Sequence, residues 1–97
     1  PIPIHDIQYM ESNNHNVLIH TKDEKVVTTR NTLAFFMEQP AFKNFIPINS
    51  GTIVNAAIIK IDNNKIILPN EAVLYISRRK MQSVREAYAK ARRRLLI

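Results

Sequence analysis

The chain has 97 residues, 45% of them apolar and 23% charged, which suits one domain with a modest core and not a disordered segment. It contains no Cys, so disulfides, thiol nucleophiles and thiolate metal sites are excluded, and no apolar run approaches the roughly 20 residues of a membrane span. A net charge of +6 and a pI near 10.0 favour nucleic acid as a partner, with a membrane surface or an acidic protein as the alternatives.

In chain order, Pro1-Ile2-Pro3-Ile4 reads as a linker, so residues 1–5 are expected to be a linker remnant and 6–97 the domain. Ile7 to Glu11 is a first strand. Ser12-Asn13-Asn14-His15-Asn16 is a polar turn whose side chains favour local backbone bonds over a ladder. Val17 to Thr21 and Val26 to Arg30, joined by Lys22-Asp23-Glu24-Lys25, are rich in β-branched residues and predict a hairpin. Asn31 or Thr32 can cap a short helix over 32–39. Leu33, Phe36 and Met37 would share its inner face, and Pro40 would end it. Phe42 and Phe45-Ile46-Pro47-Ile48 return the chain to the core. Gly51, the only glycine, is where a positive φ is expected. Thr52 to Asn55 fits either a strand or a helical turn. Ala57 to Ile61, Ile66 to Leu68 and Ala72 to Ile76 read as a meander, with Asp62-Asn63-Asn64-Lys65 as a tight turn and Pro69-Asn70-Glu71 as the second connection. Ser77 is expected to cap a final helix. Met81, Val84, Ala87, Tyr88, Ala91 and Leu95 form its apolar stripe.

The charge is unevenly distributed. From Arg78 onward, eight Lys and Arg face one acid, Glu86, a net of +7, whereas six bases and seven acids before it leave −1. The sequence carries little other chemistry. His15 and His20 are five apart, which on a strand sends them to opposite faces, and His5 lies near an end, so no metal site is expected. There are no paired catalytic carboxylates, no Gly-rich phosphate loop and no nucleophile elbow. No enzyme activity and no cofactor are expected. The remaining signal is polar turns plus Arg. Arg suits bidentate bonds with phosphate or with the O6/N7 edge of guanine, and Asn can pair with adenine.

The order of these segments resembles the LytTR DNA-binding domains. The resemblance is carried by Ile7-Gln8-Tyr9-Met10-Glu11-Ser12, Val17 to Thr21, Thr32-Leu33, and Phe45 to Ser50 leading to Ile53-Val54-Asn55. Ile58 to Asp62 with its hairpin, and Ser77-Arg78-Arg79 before a terminal helix, complete it. It implies a mainly β fold, an elongated arrangement of small antiparallel sheets with one short internal helix and a C-terminal helix. It also implies a cytoplasmic bacterial transcription regulator of a two-component system, with a receiver or other sensor domain on the N-terminal side and no membrane association. The partner would be double-stranded DNA carrying paired repeats, bound by a dimer. Loops would enter successive major grooves and touch the minor groove between them.

By the same resemblance, His15 with Asn14 and Asn16 matches the first base-contacting loop. Asn49 and Ser50 match the central loop, and Arg79 with Arg78 and Lys80 the loop for the other major groove. Lys80, Arg85 and Lys43 are expected on phosphates. The sequence departs from the family at the centre, where a common His-Arg-Ser run is replaced by Asn49-Ser50-Gly51 and a preceding Arg by Pro47. The alternative to DNA binding is a protein-interaction or membrane-surface module acting through the basic C-terminal helix.

Overall fold

The computed structural model describes residues 2–96. Eight strands form two antiparallel sheets: β1 Ile7–Asn13, β2 Asn16–Thr21, β3 Val26–Thr29, β4 Phe45–Asn49 and β5 Thr52–Asn55 in the first, and β6 Lys60–Asp62, β7 Lys65–Ile67 and β8 Val73–Tyr75 in the second. The first sheet has the order β3-β2-β1-β5-β4 and the second β6-β7-β8. Two α-helices, α1 Leu33–Met37 and α2 Met81–Leu95, and single 3₁₀ turns at Ile4–Asp6, Pro40–Phe42 and Arg78–Lys80 complete the chain. Among the described residues no helix is long and apolar enough to cross a membrane.

The five-stranded sheet is covered on both faces. On one, Ile7, Met10, Val17, Ile19, Phe42, Phe45 and Ile53 form a cluster against which Leu33 and Phe36 of α1 pack. On the other, Ile46, Ile48 and Val54 meet Ile66 and Leu68 of the small-sheet layer and Val84 and Ala91 of α2. In β2 the buried side chains alternate, Val17, Ile19 and Thr21 inside, because only one face of that strand is covered. β5 lies between both clusters, so Ile53, Val54 and Asn55 are all buried. Continuous burial removes the period-2 signal, which is why 52–55 was open between strand and helical turn. Pro47 sits on the edge strand β4, where its missing N–H costs no ladder bond, and the register shifts just after it.

Several expectations need correction. The internal helix is shorter than 32–39. Thr32 Oγ1 accepts from Phe35 N at 3.0 Å at its start, and it ends at Met37. Met37 is exposed, because the Pro40–Phe42 turn brings Phe42 beneath Phe36, ring centroids 5.3 Å apart, and fills the space. The strand expected from Ala57 begins only at Lys60: Asn55 Oδ1 accepts from Ala57 N at 3.0 Å and Asn55 O from Ile58 N at 3.2 Å, making 56–58 a turn. Leu95 leaves the apolar stripe and is 40% exposed at the end of α2. Ahead of β1, Ile2 and Ile4 pack on the first cluster and Asn55 Nδ2 donates to Ile4 O at 3.4 Å. The expected mainly β fold of small antiparallel sheets with one short internal helix and a C-terminal helix is what the structure has, with extents of 31 × 31 × 27 Å and α2 packed over β4.

Candidate nucleic-acid interface

The β1–β2 turn is built by register. Asn13 pairs with Asn16, leaving Asn14 and His15 as the tip. Asn14 takes a left-handed φ of 59°, a conformation Asn tolerates through local hydrogen bonding. His15 is exposed and, among the described residues, has no hydrogen-bond partner. His20, in contrast, is occupied: its ring stacks on Tyr9 at 4.1 Å and Nε2 lies 2.5 Å from Glu11 Oε2. The Tyr9 phenol is pushed above its ordinary pKa of 10.0, first by burial and then by the Glu11 charge.

One basic residue was missed. Val17 pairs with Thr29, so Arg30, directly after β3, emerges beside Asn16. Asn14, His15, Asn16 and Arg30 together line an open hollow of about 440 Å³. The signal was present in the hairpin register, which could have been counted out from the Lys22–Lys25 turn.

The central turn is equally tight. Asn49 pairs with Thr52, leaving Ser50 and Gly51. Asn49 Oδ1 accepts from Gly51 N at 2.8 Å, and Gly51 O accepts from Ser12 N at 2.9 Å. Gly51 was expected to supply a positive φ; it does not, and the left-handed residues are Asn14, Glu24, Asn63 and Glu71. Its role is close approach: a Cβ there would sit 3.1 Å from Ser12 Oγ. The Asn49 side-chain N–H₂ and the exposed Ser50 hydroxyl remain available.

The third turn leaves β8 toward α2. Ser77 N donates to Ile48 O at 3.3 Å, which places this turn beside the end of β4. Ser77 does not cap α2 through its hydroxyl. A 3₁₀ turn, Arg78–Lys80, intervenes, closed by Lys80 N donating to Ser77 O at 2.9 Å, and α2 begins at Met81. Arg78 and Arg79 are exposed, Lys80 half-exposed. Among the described residues their side chains make no hydrogen bond or ion pair; the four ion pairs involve His5, His20, Lys22 and Lys25.

These pieces share one edge of the larger sheet. Glu11 pairs with Thr52, so the β1–β2 and β4–β5 turns lie side by side, with Arg30 outside the first and Ser77 outside the second. With roughly 4.8 Å between strands, five strands make an edge of about 19 Å. The row carries Arg30, Arg78, Arg79 and Lys80 and neutral donors and acceptors between them. Lys43 does not belong to it, since it precedes β4 at the opposite end from Asn49. Arg85 is partly committed, donating to Asn63 O at 3.1 Å. Among the described residues no group of three or more His, Cys, Asp or Glu is placed to hold a metal.

A β-rich body that aligns short polar turns and unpaired arginines along one edge is suited to meeting nucleic acid. The chain belongs to the LytTr DNA-binding domain family, whose model matches residues 1–89. DNA binding, in the service of transcription regulation, follows from that membership. Among solved structures, the fold is similar to the LytTr DNA-binding domain of a protein from Bacillus cereus described as a methyl-accepting/DNA response regulator. The TM-score is 0.69 at 21% identity, over 94% of this chain and 84% of that one. No curated protein gives a match.

Proposed function

We propose that this domain binds double-stranded DNA sequence-specifically, with the Asn14–Asn16 tip in one major groove and the Ser77–Lys80 turn in the next. Asn49 and Ser50 then lie over the minor groove between them. The observation that carries this is the single row of turns, held in order by the β1–β5 pairing and by the Ser77–Ile48 bond. In this reading Arg79 is bidentate to guanine and His15 bonds a base edge, while Arg78, Lys80 and Arg30 hold phosphates and set position. The central turn, without the family's Arg, contributes neutral hydrogen bonds only.

The strand ends of the larger sheet span about 19 Å, with the Ser77–Lys80 turn beyond them, and successive major grooves on one face are about 34 Å apart. The longest extent of the domain, 31 Å, is close to that spacing. A duplex that curves toward the protein brings both grooves within easier reach. The regulator is read as bacterial and two-component, with a receiver on the N-terminal side and two copies on paired repeats. Selection of bound sequences from a random duplex pool tests this: two similar repeats about one helical turn apart are expected, and an unenriched pool overturns sequence-specific reading.

A further inference from the structure

We propose that Lys65 and Tyr75 form a fourth contact strip, which binds the phosphate backbone of the same duplex next to the Ser77–Lys80 turn. This rests on the DNA-reading geometry above and extends it to the second sheet, to which no DNA contact has been assigned.

Position comes first. Ile76 N donates to Asn64 O at 2.8 Å, so the β6–β7 tip is tied to the chain directly ahead of Arg78 and Arg79. The row of turns therefore continues past Ser77 to Asn63-Asn64. Register then places the side chains. Asp62 pairs with Lys65 and Lys65 with Tyr75, giving one cross-strand row at that end of the sheet. Ile61, Ile66 and Leu74 alternate inward to the core, so Asp62, Lys65 and Tyr75 face outward.

Exposure supplies the third argument. Of the three tyrosines, Tyr9 is stacked on His20 and Tyr88 donates its hydroxyl to Ile59 O at 3.2 Å. Tyr75 is 61% exposed on an edge strand. Among the described residues, neither it nor Lys65 makes a side-chain hydrogen bond or ion pair. An ammonium beside a phenolic O–H offers phosphate oxygens both charge and a directed donor. Asp62, across Lys65 from Tyr75, repels phosphate and confines the contact to the Tyr75 side, which is the side of Arg78 and Arg79. The other partner this face would suit, a second copy packed on Ile67, Val73 and Tyr75, is an outcome of the test.

The test is fluorescence anisotropy of Lys65→Ala and Tyr75→Phe on a random-sequence duplex of about 30 base pairs, three helical turns, and on a duplex of equal length recovered by selection. Salt is varied from about 50 to 200 mM, and melting curves confirm folding. Lys65→Ala is expected to weaken both complexes by the same factor, about 3- to 10-fold, and to reduce the slope of log affinity against log salt by about 0.9. Tyr75→Phe, which removes only the hydroxyl, is expected to lose about 2- to 5-fold on both. Unchanged affinity and slope in both variants, with Arg79→Ala still weakening binding, overturn the strip and leave the DNA-reading geometry intact. Unchanged binding in Arg79→Ala and His15→Ala as well overturns that geometry. A change in sedimentation without a change in DNA affinity assigns the face to self-association and overturns the strip.

Discussion

Arg79 and His15 differ in what they offer a base pair. Arg79 presents a planar fork that matches guanine, whereas His15 presents one donor or acceptor per ring nitrogen. Arg79→Ala is therefore expected to cost about 1–3 kcal/mol of binding and to relax preference at one base pair; gel-shift titration against single-base variants measures it, and a uniform loss would demote Arg79 to a phosphate contact. His15→Ala should weaken operator binding while leaving the melting temperature unchanged, since the ring touches no core residue. Gly51→Ala tests whether the close approach to Ser12 demands glycine. With no positive φ to strain, it should fold with stability within about 1 kcal/mol of the parent, Ser12 Oγ turning aside; a large loss on thermal melting would contradict that. Asp23 supplies a pH dependence. The Thr21 hydroxyl donates to it and the Lys25 ammonium lies 3.6 Å away, holding its carboxyl below the ordinary 3.8. A lowered folded-state pKa stabilises the fold above 3.8, and this contribution is lost as pH falls through the lower value. Asp23→Asn should remove that part of the acid decline in melting temperature. Residue chemistry was legible where it is local: Asn14 and Asn63 take left-handed turns, as Asn does. Glu24 and Glu71 take them too, set by turns whose N–H groups bond Thr21 O at 3.1 Å and Leu68 O at 2.8 Å. No intrinsic preference of Glu announces that.

Among the elements, β5 has the most demanding position. Asn55 at its end is 3% exposed, with Nδ2 donating to Ile7 O at 2.9 Å and Oδ1 accepting from Ala57 N. Asn55→Ala leaves those buried partners unsatisfied and should destabilise the fold by about 1–3 kcal/mol, measurable by urea denaturation; a loss of DNA affinity with unchanged stability would contradict a structural role. Helix α2 divides its charge. Arg92 donates to Ala57 O at 3.3 Å and Arg94 to Lys43 O at 3.1 Å and Asn44 Oδ1 at 2.8 Å, so these side chains fasten the helix to the loops beneath it. Val84 and Ala91 were legible as its buried stripe because their spacing is helical. The fastening was not, because Lys43, Asn44 and Ala57 lie far away in sequence. Strands with one covered face were readable from their alternation, and β5 was not. Where the 57–61 run suggested a strand from its first residue, Asn55's bonds to the next turn override the propensity of Ile58 and Ile59.

At the scale of the whole molecule, the proposed contact row faces major grooves spaced about 34 Å apart. The duplex is expected to bend on binding, and the bend should shrink when either end of the row is removed, in His15→Ala or in Arg79→Ala. Energy transfer between dyes at the ends of a duplex reads this out; an equally straight duplex with and without protein would contradict two-groove contact. The small antiparallel sheets were legible through the family resemblance, but the alignment of the turns was not. It arises from β5 inserting beside β1, a pairing between residues some forty positions apart. The same pairing has a further consequence. Because the β1–β2 and β4–β5 tips project from neighbouring strands of one hydrogen-bonded sheet, their separation is fixed at strand widths, and the turn after β8 of the second sheet is held beside them by the Ser77–Ile48 bond, so in the proposed reading the tips act as the teeth of a ruler. In the proposed reading, substitutions at Asn14, His15, Asn49, Ser50 or Arg79 are expected to change sequence preference, while the spacing of the first two turns stays with the backbone.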